Sequence, residues 1–248
     1  MNKPLEYTNL FKPIQVGKNQ LTHRVVLPPL TRNRNDPATQ APTALSIKAT
    51  FISPQAGGYS LAPGIWSQEQ ITEWTKPYVS SSATYITPED EAKAVAAGNP
   101  IRGITTAEIK QYVADYAQAA RNSVDAGAHG VEIHAASGYL PHQFPELNTN
   151  SRTDNYGGSV ENRSRFLLEV VDAATAEIGA DRLAVRINPW GLFGGMGKSG
   201  KQVTEDQFGY LVEQLEARAK EGKELAYLHI IEPRSDESKE TNDFLLEK

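Results

Sequence analysis

The residues able to do chemistry lie mostly in the second half of the chain. Gly130-Val-Glu-Ile-His134 reads as a short strand that ends on a histidine where a loop begins. A histidine there can exchange hydrogen bonds with a ligand near neutral pH, or sit satisfied within the fold. Further along the same loop, Ser137 adds a hydroxyl and Tyr139 a phenol, which remains a proton carrier at neutral pH. Arg186 stands inside Leu183-Ala-Val-Arg-Ile-Asn188, an otherwise apolar strand. A guanidinium in that setting is costly without an anionic partner, which argues for a functional position. His23, His129, His142 and His229 have no metal-ligand spacing and no carboxylate cluster beside them. His129 and His142 read as loop residues, His23 as surface and His229 as a strand residue. Cysteine is absent, so neither a disulfide framework nor a thiolate metal site is expected, and no metal is predicted.

These groups need elements to hold them, and the second half of the sequence supplies alternating helix and strand patterns. Thr105 and Glu108 have capping-box spacing, and Ile109, Tyr112, Val113, Tyr116 and Ala120 then recur on one helical face until Gly127. After the Gly130–His134 strand, Ser159 precedes a second stripe of Phe166, Leu167, Val170, Val171 and Ala174, stopped by Gly179. Thr204 and Gln207 form another capping-box pair ahead of Phe208, Leu211, Val212 and Leu215, and Gly222 closes that helix before the strand Leu225 to Ile231. Strands joined by capped helices imply parallel pairing with right-handed crossovers. No Gly-x-Gly-x-x-Gly follows any of these strands, which favours a (β/α)₈ barrel over a dinucleotide-binding sheet. In the first half, Ile14 to Leu21 reads as a small hairpin around Gly17 and Arg24 to Leu30 as a strand. From Thr75 to Thr105 no apolar strand or helical stripe stands out.

Composition narrows the partners. With 39% hydrophobic and 22% charged residues, the chain of 248 residues has the balance of a globular protein, and a single domain is expected over 1–248. The net charge of −5 argues against a phosphate-backbone partner, so no nucleic acid is expected. There is no apolar run long enough to span a bilayer and no signal-peptide pattern, so the expectation is a cytoplasmic protein without membrane contact.

Several segments together resemble the Old Yellow Enzyme family of FMN-dependent NAD(P)H:flavin oxidoreductases and ene-reductases. They are Leu10-Phe-Lys-Pro-Ile14, Leu27-Pro-Pro-Leu-Thr-Arg32, Phe51-Ile-Ser-Pro-Gln-Ala-Gly-Gly-Tyr59, Pro63-Gly-Ile-Trp-Ser67, Gly130-Val-Glu-Ile-His134, Gly138-Tyr139 and Arg152-Thr-Asp-Asn-Tyr-Gly-Gly-Ser-Val-Glu-Asn-Arg163. The last string reads as structural, its glycines allowing a tight turn and Ser159 capping a helix. The resemblance implies a (β/α)₈ TIM barrel with FMN, NAD(P)H and a small enone or enal substrate. It also implies roles. Pro29 and Leu30 would line the flavin ring by their backbone, Thr31 would bond the flavin C4 carbonyl, and Arg186 would lie at the N1 and O2 edge. His134 would donate to the substrate carbonyl, Tyr139 would deliver the α-proton, and Ser137 stands where the family usually has asparagine or histidine as second carbonyl donor.

Against that pattern the barrel reads as incomplete. Trp74-Thr-Lys76 runs straight into Pro77-Tyr78 where the family has a further strand, a crossover helix near Ala44 to Thr50 is missing, and the stretch after Ile231 is too short for two more βα units. In such barrels the phosphate sits at the last loops, so the expectation is weak retention of FMN, at about micromolar or weaker. Unpaired strand edges would favour self-association into a homo-oligomer. Two alternatives to an ene-reductase remain: an impaired or inactive truncated member, either a pseudoenzyme or a mis-spliced product, and a flavin-free lyase or isomerase. Thr31 and Arg186 argue against the last.

Overall fold

The computed structural model describes residues 12–21, 79–96, 98, 100–233 and 239–246. A hairpin of β1 (Ile14–Val16) and β2 (Asn19–Leu21) comes first, as the sequence suggests. Next are β3 (Val79–Ser80), α1 (Pro88–Ala96) and β4 (Arg102–Gly103), with β3 and β4 paired in parallel. The sequence reading found no element here. The strands are two residues long and α1 buries no side chain, so neither carries an apolar pattern. The expected strand from Arg24 to Leu30 lies outside the described residues.

The centre is a parallel sheet of β5 (Val131–Ala135), β6 (Leu183–Ile187) and β7 (Tyr227–Ile230) in that spatial order. Helices α2 (Thr106–Asp125), α4 (Val160–Ile178) and α5 (Lys201–Lys220) form the layer against it. The short helices α3 (Leu140–Gln143) and α6 (Asp243–Leu246) and 3₁₀ turns at Ala180–Arg182 and Phe193–Gly195 complete the described elements. This is a segment of a (β/α)₈ barrel, as the strand–helix alternation predicts.

Helices α2 and α4 begin at side-chain caps. Thr105 Oγ1 accepts the Glu108 N–H while the Glu108 carboxylate accepts the Thr105 N–H, closing the capping box of α2. Arg102 also pairs with Glu108 and, as the main cause, pulls its carboxyl down to about 2. Ser159 caps α4 by accepting the Asn162 N–H. Helix α5 departs from the sequence reading. It starts at Lys201 behind Gly200, and Thr204 lies buried inside its first turn. Gln207 does not reach back to Thr204 but donates across to Val160 O and Ser164 Oγ on α4.

Strand periodicity divides the sheet into two faces. Ile133, Ala135, Leu183, Val185 and Ile187 face the helices and join Phe166, Val170, Phe208 and Leu211 in a core that excludes water. Removing each large apolar side chain of this kind from water contributes about 1.5–3 kcal/mol. The other face carries polar residues.

The long loop between α3 and α4 is tied to the strand ends. Arg152 donates to Ser81 O and Ile104 O and pairs with Asp154. Gly157 sits so close that a Cβ there would lie 2.3 Å from Arg152 O, which explains the glycine at that place in the string. The loop is therefore a clamp, in agreement with its structural reading.

Candidate active site

Register brings the chemical groups together. His134 at the end of β5 pairs with Arg186 of β6, and Arg186 pairs with His229 of β7, so the three form one row on the polar face. Glu132 lies two residues before His134, on the same face, and its carboxylate is 3.1 Å from His229 Nδ1. Tyr227 belongs to the same face, and burial followed by the neighbouring Glu132 pushes its phenol up to about 12.

The row holds two nitrogens that lack a partner among the described residues. His134 Nδ1 and Arg186 Nε are both buried and unbonded, and no described carboxylate pairs with Arg186. Burial, helped by the Arg186 guanidinium and opposed by Glu132, lowers the His134 ring to about 4. At neutral pH His134 is thus an uncharged donor, the form that can bond a carbonyl oxygen without giving up its proton outright.

The loop after β5 presents the other two groups. Ser137 has φ +55°, the one non-glycine among the described residues in the left-handed region, and Gly138 follows at +76°. This double turn carries the chain to Tyr139, which precedes α3 and brings its ring centroid 5.0 Å from that of His134. Space at the turn is limited: a Cβ on Gly138 would come 3.0 Å from Gly194 Cα in the loop after β6. Asn148 Nδ2 bonds Gly195 O, and Ser199 Oγ accepts the Leu147 N–H and donates to Glu146, so the loops after α3 and β6 are fastened to each other.

His134, Ser137, Tyr139 and Arg186 therefore lie at or just beyond the carboxyl ends of β5 and β6. Pro29, Leu30 and Thr31 lie outside the described residues, as does His23. Two histidines differ from their sequence reading or sharpen it. His142 is fully buried in α3, not a loop residue, because α3 packs it beside Phe208 at a ring-centroid distance of 6.1 Å. His229 is now assigned to the polar face. Glu132 was missed, although period-2 alternation from His134 was enough to place it there. Gln143 was also missed, and the sequence offered no signal for it. Among the described residues no group of three His, Cys, Asp or Glu could hold a metal ion.

An uncharged histidine, a phenol and an arginine whose Nε has no partner among the described residues thus lie at the strand carboxyl ends of a parallel α/β layer. The model of the NADH:flavin oxidoreductase / NADH oxidase family matches residues 9–79 and, separately, 75–244, the two matches overlapping at 75–79. Enoate reductase 1 of Kluyveromyces lactis is 41% identical over 283 residues, covering 94% of this chain and 71% of that protein. A chanoclavine-I aldehyde reductase of Penicillium roqueforti is 40% identical over 268 residues, covering 92% and 70%. Among solved structures, Old Yellow Enzyme from Pichia sp. superposes with a TM-score of 0.82 at 36% identity, covering 98% of this chain and 75% of that one. Morphinone reductase gives 0.77 at 30% identity, covering 98% and 78%. The chain belongs to the NADH:flavin oxidoreductase family, and it is shorter than these relatives.

Proposed function

We propose that this protein is an FMN-dependent ene-reductase that takes reducing equivalents from NAD(P)H and saturates the carbon–carbon double bond of an enone or enal. The observation that supports this best is the pair of buried, unpartnered nitrogens, His134 Nδ1 and Arg186 Nε, side by side in register on one face. Arg186 is half-buried with its Nε out of water and without a partner among the described residues, which is unfavourable, and an electron-rich ring edge against it would relieve the cost. The residues that would hold FMN are Pro29, Leu30 and Thr31 together with Arg186. FMN supplies the hydride chemistry when bound.

The chain's own residues do the rest. His134 donates to the substrate carbonyl oxygen and stabilises the charge that develops there, an effect of about 2.7–4 kcal/mol for one well-aimed donor. Ser137 offers a shorter second donor. Tyr139, held edge-on to the His134 ring, carries the proton for the α-carbon. No helix among the described residues is long and apolar enough to cross a membrane, and we take the cytoplasm as the working compartment. Self-association through the sheet edges of β5 and β7 is part of the same reading. The test is product analysis. The purified chain with added FMN and NADPH should convert 2-cyclohexenone into the saturated ketone, and NADPH oxidation without that product would sink the assigned substrate class.

A further inference from the structure

The turn that carries Ser137 and Tyr139 is held by side chains that none of the assigned roles uses. Both polar groups of the Gly138 backbone are bonded by the next helix: its N–H donates to His142 Nδ1 at 3.1 Å, and its C=O accepts Gln143 Nε2 at 2.9 Å. His142 acts as acceptor at Nδ1 and is fully buried, which lowers its ring to about 3 and keeps it uncharged. Gln143 is anchored at its other end. Its Oε1 accepts from Ser80 Oγ at 2.8 Å and from the Ser81 N–H at 3.2 Å, and its own carbonyl accepts Thr149 Oγ1 at 2.8 Å.

One amide thus spans from the end of β3 to the turn after β5. Its orientation is fixed by its partners, since a flipped amide would face the Ser81 N–H with its NH₂ and the Gly138 carbonyl with its oxygen. We infer that Gln143 is a positioning residue for substrate activation: from the end of β3 it sets the Ser137–Gly138 turn, and so the aim of Ser137 and Tyr139 beside His134. This rests on the ene-reductase reading of the same site. Gln143 touches no reacting atom, and His142 assists by holding the other side of the same peptide. The groups that anchor it, Ser80 and Ser81, lie at and just after the end of β3.

The experiment compares the wild-type chain with Gln143→Ala and Gln143→Glu, all with excess FMN. Glutamate keeps the acceptor toward Ser80 and Ser81 and loses the donor toward Gly138. We expect Gln143→Glu to lower kcat for 2-cyclohexenone at least tenfold, with the FMN dissociation constant within twofold of wild type. Amide hydrogen exchange at Gly138 and Tyr139 should quicken at least tenfold while α4 is unchanged. Wild-type kcat in a folded Gln143→Glu chain, or unchanged exchange at Gly138 and Tyr139, overturns the proposal. If exchange quickens throughout the molecule in both variants, Gln143 serves the fold at large and the proposal is also overturned. Should the wild-type chain fail to reduce the enone, the ene-reductase reading falls by itself, and exchange at the turn then decides whether Gln143 sets it.

Discussion

Replacing Ser137 by asparagine changes two quantities at once, and the structure lets them be separated. Ser137 sits at φ +55°, a conformation that costs a side-chain-bearing residue about 1–2 kcal/mol and that asparagine tolerates better than serine. Part of that cost, about 0.5–1 kcal/mol, should be recovered in Ser137→Asn. The longer amide also offers an N–H donor beside His134, where the enolate oxygen would lie. A fully aligned second donor is worth about 10²–10³ in kcat, and an imperfectly aligned one in this turn should still give a rise of about tenfold. Ser137→Gly is the control, because it relieves the backbone without adding a donor. Steady-state reduction of 2-cyclohexenone and urea unfolding, run on all three chains, give the two readouts. Asparagine should raise both rate and stability, glycine stability alone. Equal rates in the two variants, or no gain with asparagine, would refute the assignment of Ser137 as the second donor position.

Acid should destabilise the fold in a definite window. His134 and His142 are held uncharged, at about 4 and about 3, while the unfolded chain binds a proton below about 6.5. Their stabilising share is therefore complete above about pH 6.5 and is lost as the pH falls toward those lowered values, at about 1.4 kcal/mol per pH unit for each ring. Buried Glu146, whose carboxyl is raised mainly by burial, works in the opposite direction and offsets part of the loss. Urea unfolding from pH 7 to 5 checks the net fall, and a flat profile contradicts the uncharged assignment. Gly157→Ala should cost about 1–3 kcal/mol, because its Cβ would meet the Arg152 carbonyl and not a yielding side chain. A thermal midpoint equal to that of the wild type would show that the clamp loop can shift.

The layered half of the fold was legible because its signals are local. Thr105 with Glu108, Ser159, and the apolar stripes of α2 and α4 each lie within a few turns of helix, and Arg186 stood out against its apolar strand. What could not be read depends on distant partners. Strands β3 and β4 are two residues long and exist only by pairing with each other. Thr204 and Gln207 match capping spacing, yet the partner of Gln207 is α4, which no pattern within α5 reveals. The burial of His142 arises from Phe208, and the role of Gln143 from Ser80 and Ser81, all remote in sequence. Of the seven site residues expected from the sequence, His134, Ser137, Tyr139 and Arg186 fall among the described residues. The site's polar floor of Glu132, Tyr227 and His229 required the register of three strands.

In the proposed function Arg186, on the central strand β6, faces the flavin. Titration of the purified chain with FMN, followed by flavin fluorescence, tests this directly in the wild type and in Arg186→Met, which keeps an unbranched stem and removes the charge. A charge-assisted bond of about 1.5–3 kcal/mol corresponds to roughly ten- to a hundredfold in dissociation constant, so the variant should bind at least tenfold more weakly with an unchanged circular dichroism spectrum. Equal affinity in the two chains, or no FMN binding by the wild type, would contradict the assignment.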